Sequence, residues 1–242
     1  MLVTGASRGI GAAIARAAAR SYDLVVNHTT PSPHIDAFAD ELAAHGATVL
    51  VHRADVGDES EVVAMFGACD DHFARLDVLV NNAGIAGVHG RIDTVSAAML
   101  ETLWAVNVTG PFVCAREAVS RMASDRGGSG GSIVNISSRA AVLGGPGEWV
   151  HYAASKGAID TMTIGLSKEL APLGIRVNAV RPGLITSDFH DHALPGRLER
   201  MAPSVPMQRP GSPDEVATAV LWLASDEASY VTGAFIDIGG GR

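Results

Sequence analysis

Short apolar runs alternate with longer segments of helical patterning along the whole chain. The runs are rich in Val, Ile and Leu and nearly continuous, which is typical of strands buried on both faces of a parallel sheet. Seven such runs occur: LVT, DLVVNH, ATVLVHRADV, LDVLVNNAG, GSIVNISS, IRVNAVRPG and TGAFIDIGG. The pattern therefore predicts seven buried strands.

The intervening segments predict helices. These lie at about Ile10–Arg20, Asp36–His45, Glu59–Ala74, twice within Ser96–Met122, around Tyr152 and at Asp214–Ala224. Alternating β and α segments, with no linker or internal repeat to divide them, predict one α/β domain over residues 1–242. We expect a doubly wound, Rossmann-type domain, in which a seven-stranded parallel sheet carries helices on both faces.

One segment does not fit this alternation. Residues 184–212 are rich in Pro, His and charge and follow the sixth strand. Ligands of open α/β sheets bind at the carboxyl ends of the strands, and long loops in compact domains are usually functional. We interpret residues 184–212 as a substrate lid.

Composition narrows the function classes. The chain of 242 residues is 47% hydrophobic and has a net charge of −8, with no basic stretch, so no nucleic-acid partner is expected. Its apolar runs are too short to span a membrane. The two cysteines do not suggest a disulfide framework, which favours a reducing cytoplasm.

The strongest chemical signal is the pair Tyr152 and Lys156. Their four-residue spacing places both side chains on one helical face. A nearby positive charge is expected to lower the pKa of the phenol, which suits Tyr152 to general acid/base catalysis on alcohols and ketones. Ser138, at the end of the fifth strand, can present a hydroxyl to the same place. Ser137 is the alternative, and because neighbours on a strand face opposite ways, one of the two is structural.

A glycine loop, TGASRGIG at residues 4–11, links the first strand to the first helix. Gly5, Gly9 and Gly11 allow a tight turn and close approach of a pyrophosphate to the helix N-terminus. The spacing differs from the common dinucleotide fingerprint, so a plain strand-to-helix turn is the alternative. The NNAG turn, residues 81–84, ends the fourth strand at the same sheet edge.

The end of the second strand predicts which nicotinamide cofactor is bound. NAD-binding enzymes usually place an acidic residue there, yet no carboxylate occurs from Leu24 to Ile35. Arg8 can supply positive charge to a 2′-phosphate, and His28 and Thr29 can supply hydrogen bonds. We predict NADP(H) in preference to NAD(H); the alternative for Arg8 is an exposed residue at the helix start.

Several polar residues allow two interpretations. Asp55, after the third strand, either accepts a hydrogen bond from adenine or caps a helix. Asn107, within an apolar helical stretch, either kinks the helix and exposes a carbonyl to water or is structural. His151, His190 and His192 are expected to be surface or lid residues, because no third ligand stands at metal-binding spacing and no metal is expected. Trp149 either walls the substrate pocket or packs.

These motifs, in this order, resemble the short-chain dehydrogenase/reductase family over essentially the whole chain. TGASRGIG resembles its cofactor motif, NNAG its fourth-strand motif, YAASK its catalytic motif, and RPG (181–183) its motif after the sixth strand. The resemblance is to members such as 3-oxoacyl reductases and glucose dehydrogenases. One departure is the serine-to-tyrosine offset of fourteen residues, often thirteen in the family, which is expected to alter the substrate-side loop.

The resemblance implies a catalytic tetrad of Asn107, Ser138, Tyr152 and Lys156. Tyr152 would exchange the proton, Ser138 steady the carbonyl, Lys156 tune Tyr152 and hold the ribose, and Asn107 position a water. The expected cofactor-binding set, from the motifs and the resemblance together, is Gly5, Ser7, Arg8, Gly9, Ile10, Gly11, His28, Thr29, Asp55, Val56, Asn82, Ala83, Gly84, Tyr152, Lys156, Pro182, Gly183, Ile185 and Ser187. The resemblance also implies a homotetramer or homodimer formed through helices near 99–123 and 152–170.

The leading hypothesis is therefore an oxidoreductase that transfers hydride between NADP(H) and a ketone or secondary alcohol. One alternative is a cofactor-binding regulatory protein without turnover, against which the intact tetrad argues. The other is a Rossmann-type methyltransferase, which usually has an acid after the second strand and has no need of the tyrosine–lysine pair.

Overall fold

The strands form one parallel sheet. The computed structural model describes residues 1–30, 34–187 and 196–242. Within them, seven strands pair in parallel in the order β3-β2-β1-β4-β5-β6-β7. The strands are β1 Leu2–Val3, β2 Leu24–His28, β3 Val49–Arg53, β4 Val78–Asn81, β5 Gly131–Ile136, β6 Ile175–Pro182 and β7 Phe235–Ile238. The predicted seven-stranded parallel sheet is confirmed.

The helices follow the strands in turn. They are α1 Gly9–Ala18, α2 Ile35–Ala43, α3 Glu59–Phe73, α4 Ala97–Trp104, α5 Gly110–Met122, α6 Ala140–Leu143, α7 Val150–Leu170, α8 Arg197–Met201 and α9 Pro213–Ala224. A π-helical segment, Ala105–Thr109, joins α4 to α5 without a break. None of the helices among the described residues is long and apolar enough to cross a membrane.

Two hydrophobic clusters cover the two faces of the sheet. In β1, Leu2 packs into the cluster of α3, α5 and α7, whereas Val3 packs into the cluster of α1 and α9. In β4, Leu79 and its neighbour Val80 divide between the same two clusters, and both are fully buried. The nearly continuous apolar character of the strands thus reflects burial on both faces, as the pattern predicted.

Among the element ends that differ from the prediction are those of the fifth strand and the first helix. The fifth strand ends at Ile136, because the chain turns away at Ser138, whose Oγ accepts a hydrogen bond from the Ala140 N–H. The first helix ends at Ala18 rather than Arg20, because the N–H groups of the next turn converge on the Ala18 carbonyl. Both ends are set by local hydrogen bonds that hydrophobic patterning does not report.

Replacing Leu79 with Ala should lower the free energy of unfolding by about 2–5 kcal/mol, because Leu79 is fully buried in the sheet and its loss leaves a cavity. Urea unfolding followed by circular dichroism measures the change. Leu143→Ala is the matched control, because that side chain is 45% exposed. Equal losses in the two variants would contradict the assignment of the core.

Candidate active site

The glycine loop is built for close backbone approach. Gly5 and Gly9 have positive φ angles of 62° and 55°. A Cβ on Gly11 would lie 2.4 Å from the Gly5 carbonyl oxygen, so no larger residue fits there. Arg8, the N-cap residue of α1, makes no side-chain capping hydrogen bond to this helix. The N–H groups of a first helical turn suit an anion.

Hydrogen bonds fasten the NNAG turn to this loop. The Thr4 hydroxyl accepts from the N–H groups of Asn82 and Ala83 at 2.9 and 3.0 Å. The Asn82 side chain donates to the carbonyls of Thr4 and Gly5 at 2.8 and 3.0 Å. The predicted proximity of the two motifs is therefore produced largely by Thr4 and Asn82, and sequence reasoning did not single out Thr4.

Helix α7 carries Tyr152 and Lys156 toward the end of β5. Lys156 is buried, and its ammonium donates to the Ile136 carbonyl at 2.7 Å and lies 5.8 Å from the centroid of the Tyr152 ring. Burial lowers the pKa of Lys156 to about 8, and the charge of Asp160 opposes that shift. The pair shares one site, as the spacing predicted.

The pKa of Tyr152 differs from the expectation. We expected the Lys156 charge to lower it, but burial raises the pKa of Tyr152 to about 12. A side-chain hydrogen bond with Ser138, rather than the Lys156 charge, is what opposes the increase. Desolvation of the phenolate therefore outweighs the hydrogen bond with Ser138.

The two serines separate into different roles. Ser138 is half-buried and hydrogen-bonds to Tyr152. Ser137 is buried, and its hydroxyl donates to Asp160 Oδ1 at 2.6 Å. Of the two hydroxyls, that of Ser138 reaches the phenol, while that of Ser137 holds the strand to α7.

Asn107 lies in the π-helical segment and is fully buried. Its side chain exchanges hydrogen bonds with both backbone groups of Ile85 at 2.9 Å and donates to the Ser155 hydroxyl at 3.0 Å. Pro111, four residues later, has no N–H to donate to the Asn107 carbonyl, as an α-helix would require. The side chain is thus held by hydrogen bonds to Ile85 and Ser155, while the backbone departs from the α-helix at the position where a kink was foreseen.

Gly84 joins these groups to the cofactor-side turn. A Cβ at Gly84 would lie 3.4 Å from Asn107 Oδ1 and 3.5 Å from Lys156 Nζ. The structure therefore brings the Asn107 and Lys156 side chains to one point beside the NNAG turn. With Ser138 and Tyr152, they gather where β4 and β5 end.

The residues at the ends of β2 and β3 form a second cluster. His28 is buried, with Nδ1 3.0 Å from the Thr30 carbonyl oxygen. The Arg53 guanidinium, which sequence reasoning missed, donates to the Thr29 carbonyl at 3.1 Å. A surface cavity of about 410 Å³ is lined by Thr29, Arg53, Asp55 and Glu61. Arg53 is the last residue of β3 and is paired in register with His28, a position that the longer predicted strand did not reveal.

Asp55 is not the cap of α3. That role belongs to Asp58, which accepts from the N–H groups of Ser60 and Glu61 at 2.8 and 3.2 Å. Asp55 instead accepts from the Gly57 N–H at 2.8 Å, beside the cavity. The helix-cap alternative for Asp55 is therefore wrong.

The segment after β6 returns to the glycine loop. A Cβ on Gly9 would lie 3.7 Å from the Ser187 Cβ, so Ser187 faces the start of α1. Ile185 is buried and pairs with Gly211 as a β-bridge, which brings the two ends of the predicted lid together. The remaining members of the expected cofactor set are half-buried at Ser7, Ile10 and Gly183 and buried at Val56 and Pro182.

His151 and Trp149, which precede Tyr152 in the chain, are both buried. His151 was expected at the surface, but it is 5% exposed, and its Nε2 lies 3.1 Å from the Ala86 carbonyl oxygen. That expectation was wrong, because the loop after β4 folds over the start of α7. The Trp149 ring contacts the His89 ring and the Arg197 guanidinium.

Among the described residues, no three His, Cys, Asp or Glu side chains are grouped so that they could hold a metal ion. His190 and His192, together with the rest of lid residues 188–195, lie outside the described residues.

The chain is similar to known proteins along its whole length. Residues 5–242 match the family model described as "Enoyl-(Acyl carrier protein) reductase". An uncharacterized oxidoreductase, YgfF, of Escherichia coli is 51% identical over 243 residues, covering 100% of this chain and 98% of the relative. A 3-oxoacyl-[acyl-carrier-protein] reductase, FabG, of Staphylococcus aureus is 38% identical, covering 99% of this chain and 96% of the relative.

Two further similar proteins are also dehydrogenases by name. Glucose 1-dehydrogenase 2 of Bacillus subtilis is 37% identical, covering 99% of this chain and 93% of the relative. The crystal structure of a short chain dehydrogenase from Burkholderia cenocepacia in complex with NADP superposes with a TM-score of 0.91 at 31% identity, covering 99% and 96% of the two chains. With the motifs now seen to meet at one sheet edge, the chain belongs to the short-chain dehydrogenase/reductase family.

Proposed function

We propose that this protein transfers hydride between NADP(H) and a ketone or secondary alcohol. The observation that carries the proposal is the meeting of Ser138, Tyr152 and Lys156 at the ends of β4 and β5, with the Asn107 side chain beside Lys156 at Gly84. The names of the relatives, which include reductases and dehydrogenases, support the same class of reaction. Family membership leaves the methyltransferase alternative without support.

Tyr152 is the proton-transferring group in this mechanism. With its pKa raised to about 12, the phenol is protonated at neutral pH and can donate to a carbonyl oxygen as that carbonyl is reduced. Ser138, hydrogen-bonded to the phenol, can donate to the same oxygen and hold it in place. Lys156, whose pKa is lowered to about 8, is charged at neutral pH and stabilises the phenolate that remains.

The glycine loop, the NNAG turn and Ser187 are suited to hold a dinucleotide. The N-terminus of α1, where Arg8 makes no capping hydrogen bond, suits a pyrophosphate, and the absence of a Cβ at Gly11 lets the loop pack against Asn82. When bound, the nicotinamide supplies or accepts the hydride. In this proposal Lys156, beside Gly84, binds a ribose hydroxyl as well as acting on Tyr152.

We infer a preference for NADP(H) over NAD(H) from the charges near the end of β2. Arg8 is exposed at the start of α1, and Arg53 lies against Thr29. A 2′-phosphate beside Thr29 would meet the Arg53 guanidinium, in a cavity that Asp55 and Glu61 also line. Arg8, in the glycine loop, is the second candidate partner for the phosphate. The NADP in the Burkholderia structure is consistent with this inference.

We also propose that the protein is a homotetramer or homodimer. Large apolar side chains are exposed on the helices near 99–123 and 152–170, which are the expected subunit contacts. They are Trp104 on α4, Phe112 on α5 and Ile164 on α7. Exposed apolar patches of this kind often mark protein–protein contacts.

Tyr152→Phe should lower NADPH-dependent ketone reduction at least about 100-fold, because it removes the proton donor. NADPH binding should remain nearly unchanged, because only one hydroxyl is lost. The measurement is NADPH oxidation against a panel of ketones, diketones and 3-oxoacyl thioesters, with NADPH affinity measured by fluorescence.

Tyr230→Phe is the control, because Tyr230 is fully exposed and should keep wild-type activity. Full activity in Tyr152→Phe would contradict the mechanism. NADPH binding without turnover across carbonyl and alcohol panels would instead favour the regulatory alternative.

Arg8→Ala and Arg53→Ala should each reduce the ratio of NADPH to NADH affinity by about tenfold, since a charge-assisted hydrogen bond to the phosphate is lost. Affinity for NADH should change little. The Kd of each cofactor is measured by fluorescence or calorimetry. Arg20→Ala is the control, because Arg20 is an exposed arginine just beyond α1. An unchanged ratio would remove that arginine from the cofactor site.

A further inference from the structure

A buried carboxylate lies one helical turn beyond Lys156. Asp160 is 9% exposed and follows Tyr152 and Lys156 on the same face of α7. From β6, Arg181 donates to Asp160 Oδ2 through Nε at 3.0 Å and pairs with it through Nη2 at 2.9 Å. From the end of β5, Ser137 donates to Oδ1 at 2.6 Å. Both carboxylate oxygens are therefore engaged by neighbouring strands.

This network reaches the reacting groups through three consecutive residues. Ser137 stands between Ile136, whose carbonyl binds the Lys156 ammonium at 2.7 Å, and Ser138, which bonds to Tyr152. The Ser137 hydroxyl also lies 3.3 Å from the Lys156 carbonyl oxygen. A displacement of Ser137 would thus move both the anchor of Lys156 and the partner of Tyr152.

Asp160 also supplies charge. It is the group that raises the pKa of Lys156 against the effect of burial. The other ionisable groups around Lys156 stand as follows. Tyr152 lies on the same helix, and Arg181 on β6 pairs with Asp160 and lies 3.7 Å from Asp237 on β7. Arg139, after β5, pairs with Asp237 as well.

We propose that Asp160 is a positioning residue for the reaction: through Ser137 it fixes the end of β5, and it places a negative charge one helical turn from Lys156. Its action on catalysis rests on the proposed function. Its action on Lys156 does not, and the two are measured separately.

The chain has two lysines, Lys156 and Lys168, which makes a direct titration possible. Protein labelled with ¹³C at lysine Cε gives two NMR signals, and Lys168→Arg assigns them. In the wild type, the Lys156 signal should titrate near pH 8. In Asp160→Asn its midpoint should fall by roughly one pH unit, because the opposing negative charge is lost.

Asp237→Asn is the matched control. Asp237 is a carboxylate that contacts Arg181 but is exposed on β7, and none of its contacts is with Ser137 or Lys156. Its removal should leave the Lys156 midpoint unchanged. The same midpoint in Asp160→Asn as in the wild type would overturn the proposal.

Turnover provides the second readout. In Asp160→Asn, kcat/KM should fall up to about tenfold at pH 9 and stay near wild type at pH 6, because the alkaline limb moves to lower pH with Lys156. The loss should fall on kcat rather than KM. If the alkaline limb of the pH profile does not shift in Asp160→Asn, the role of Asp160 in catalysis is overturned. If the wild-type protein shows no turnover, the proposed function is overturned and the NMR result still stands.

If Asp160→Asn does not fold, Arg181→Gln tests the same coupling with the opposite sign. It leaves the charge of Asp160 without its cationic partner, so the Lys156 midpoint should rise. An unchanged or lower midpoint would overturn the proposal.

Discussion

The arrangement of this site depends on the burial of one cation. Lys156 is 4% exposed, so its ammonium must find compensation within the fold. The Ile136 carbonyl and the charge of Asp160 provide it, and each lies on a segment that also positions a proposed catalytic group. The contacts that compensate the buried ammonium therefore also hold the end of β5 against α7.

A second constraint operates on the cofactor side, where two backbones meet too closely for any side chain at Gly11. Thr4 and Asn82 satisfy each other's polar groups there, which joins β1 to β4. These hydrogen bonds place the NNAG turn between the proposed nucleotide-binding residues and the proposed catalytic residues. Gly84, the last residue of that turn, lies beside the Lys156 and Asn107 side chains.

Prediction from sequence succeeded where periodicity or local spacing carries the information, and failed where distant segments meet. The strands were found because burial on both faces leaves continuous apolar runs, as in β4. His151 was misplaced because its burial comes from a loop some 65 residues earlier in the chain. The pKa of Tyr152 was expected to fall because the neighbouring lysine is visible in sequence, whereas the desolvation that raises it to about 12 is not.

By itself, the sequence determined the seven strands and the helices between them, apart from the short α6 and α8. It also determined that Tyr152 and Lys156 share a helical face and that glycines stand where a tight turn requires them, since each of these is a local property of spacing or residue type. Only the tertiary structure decided that Ser138 rather than Ser137 meets the phenol, that Asp58 rather than Asp55 caps α3, and that Arg53 reaches Thr29. These depend on hydrogen bonds and on charge in a desolvated interior, which exist only once separate elements have packed together.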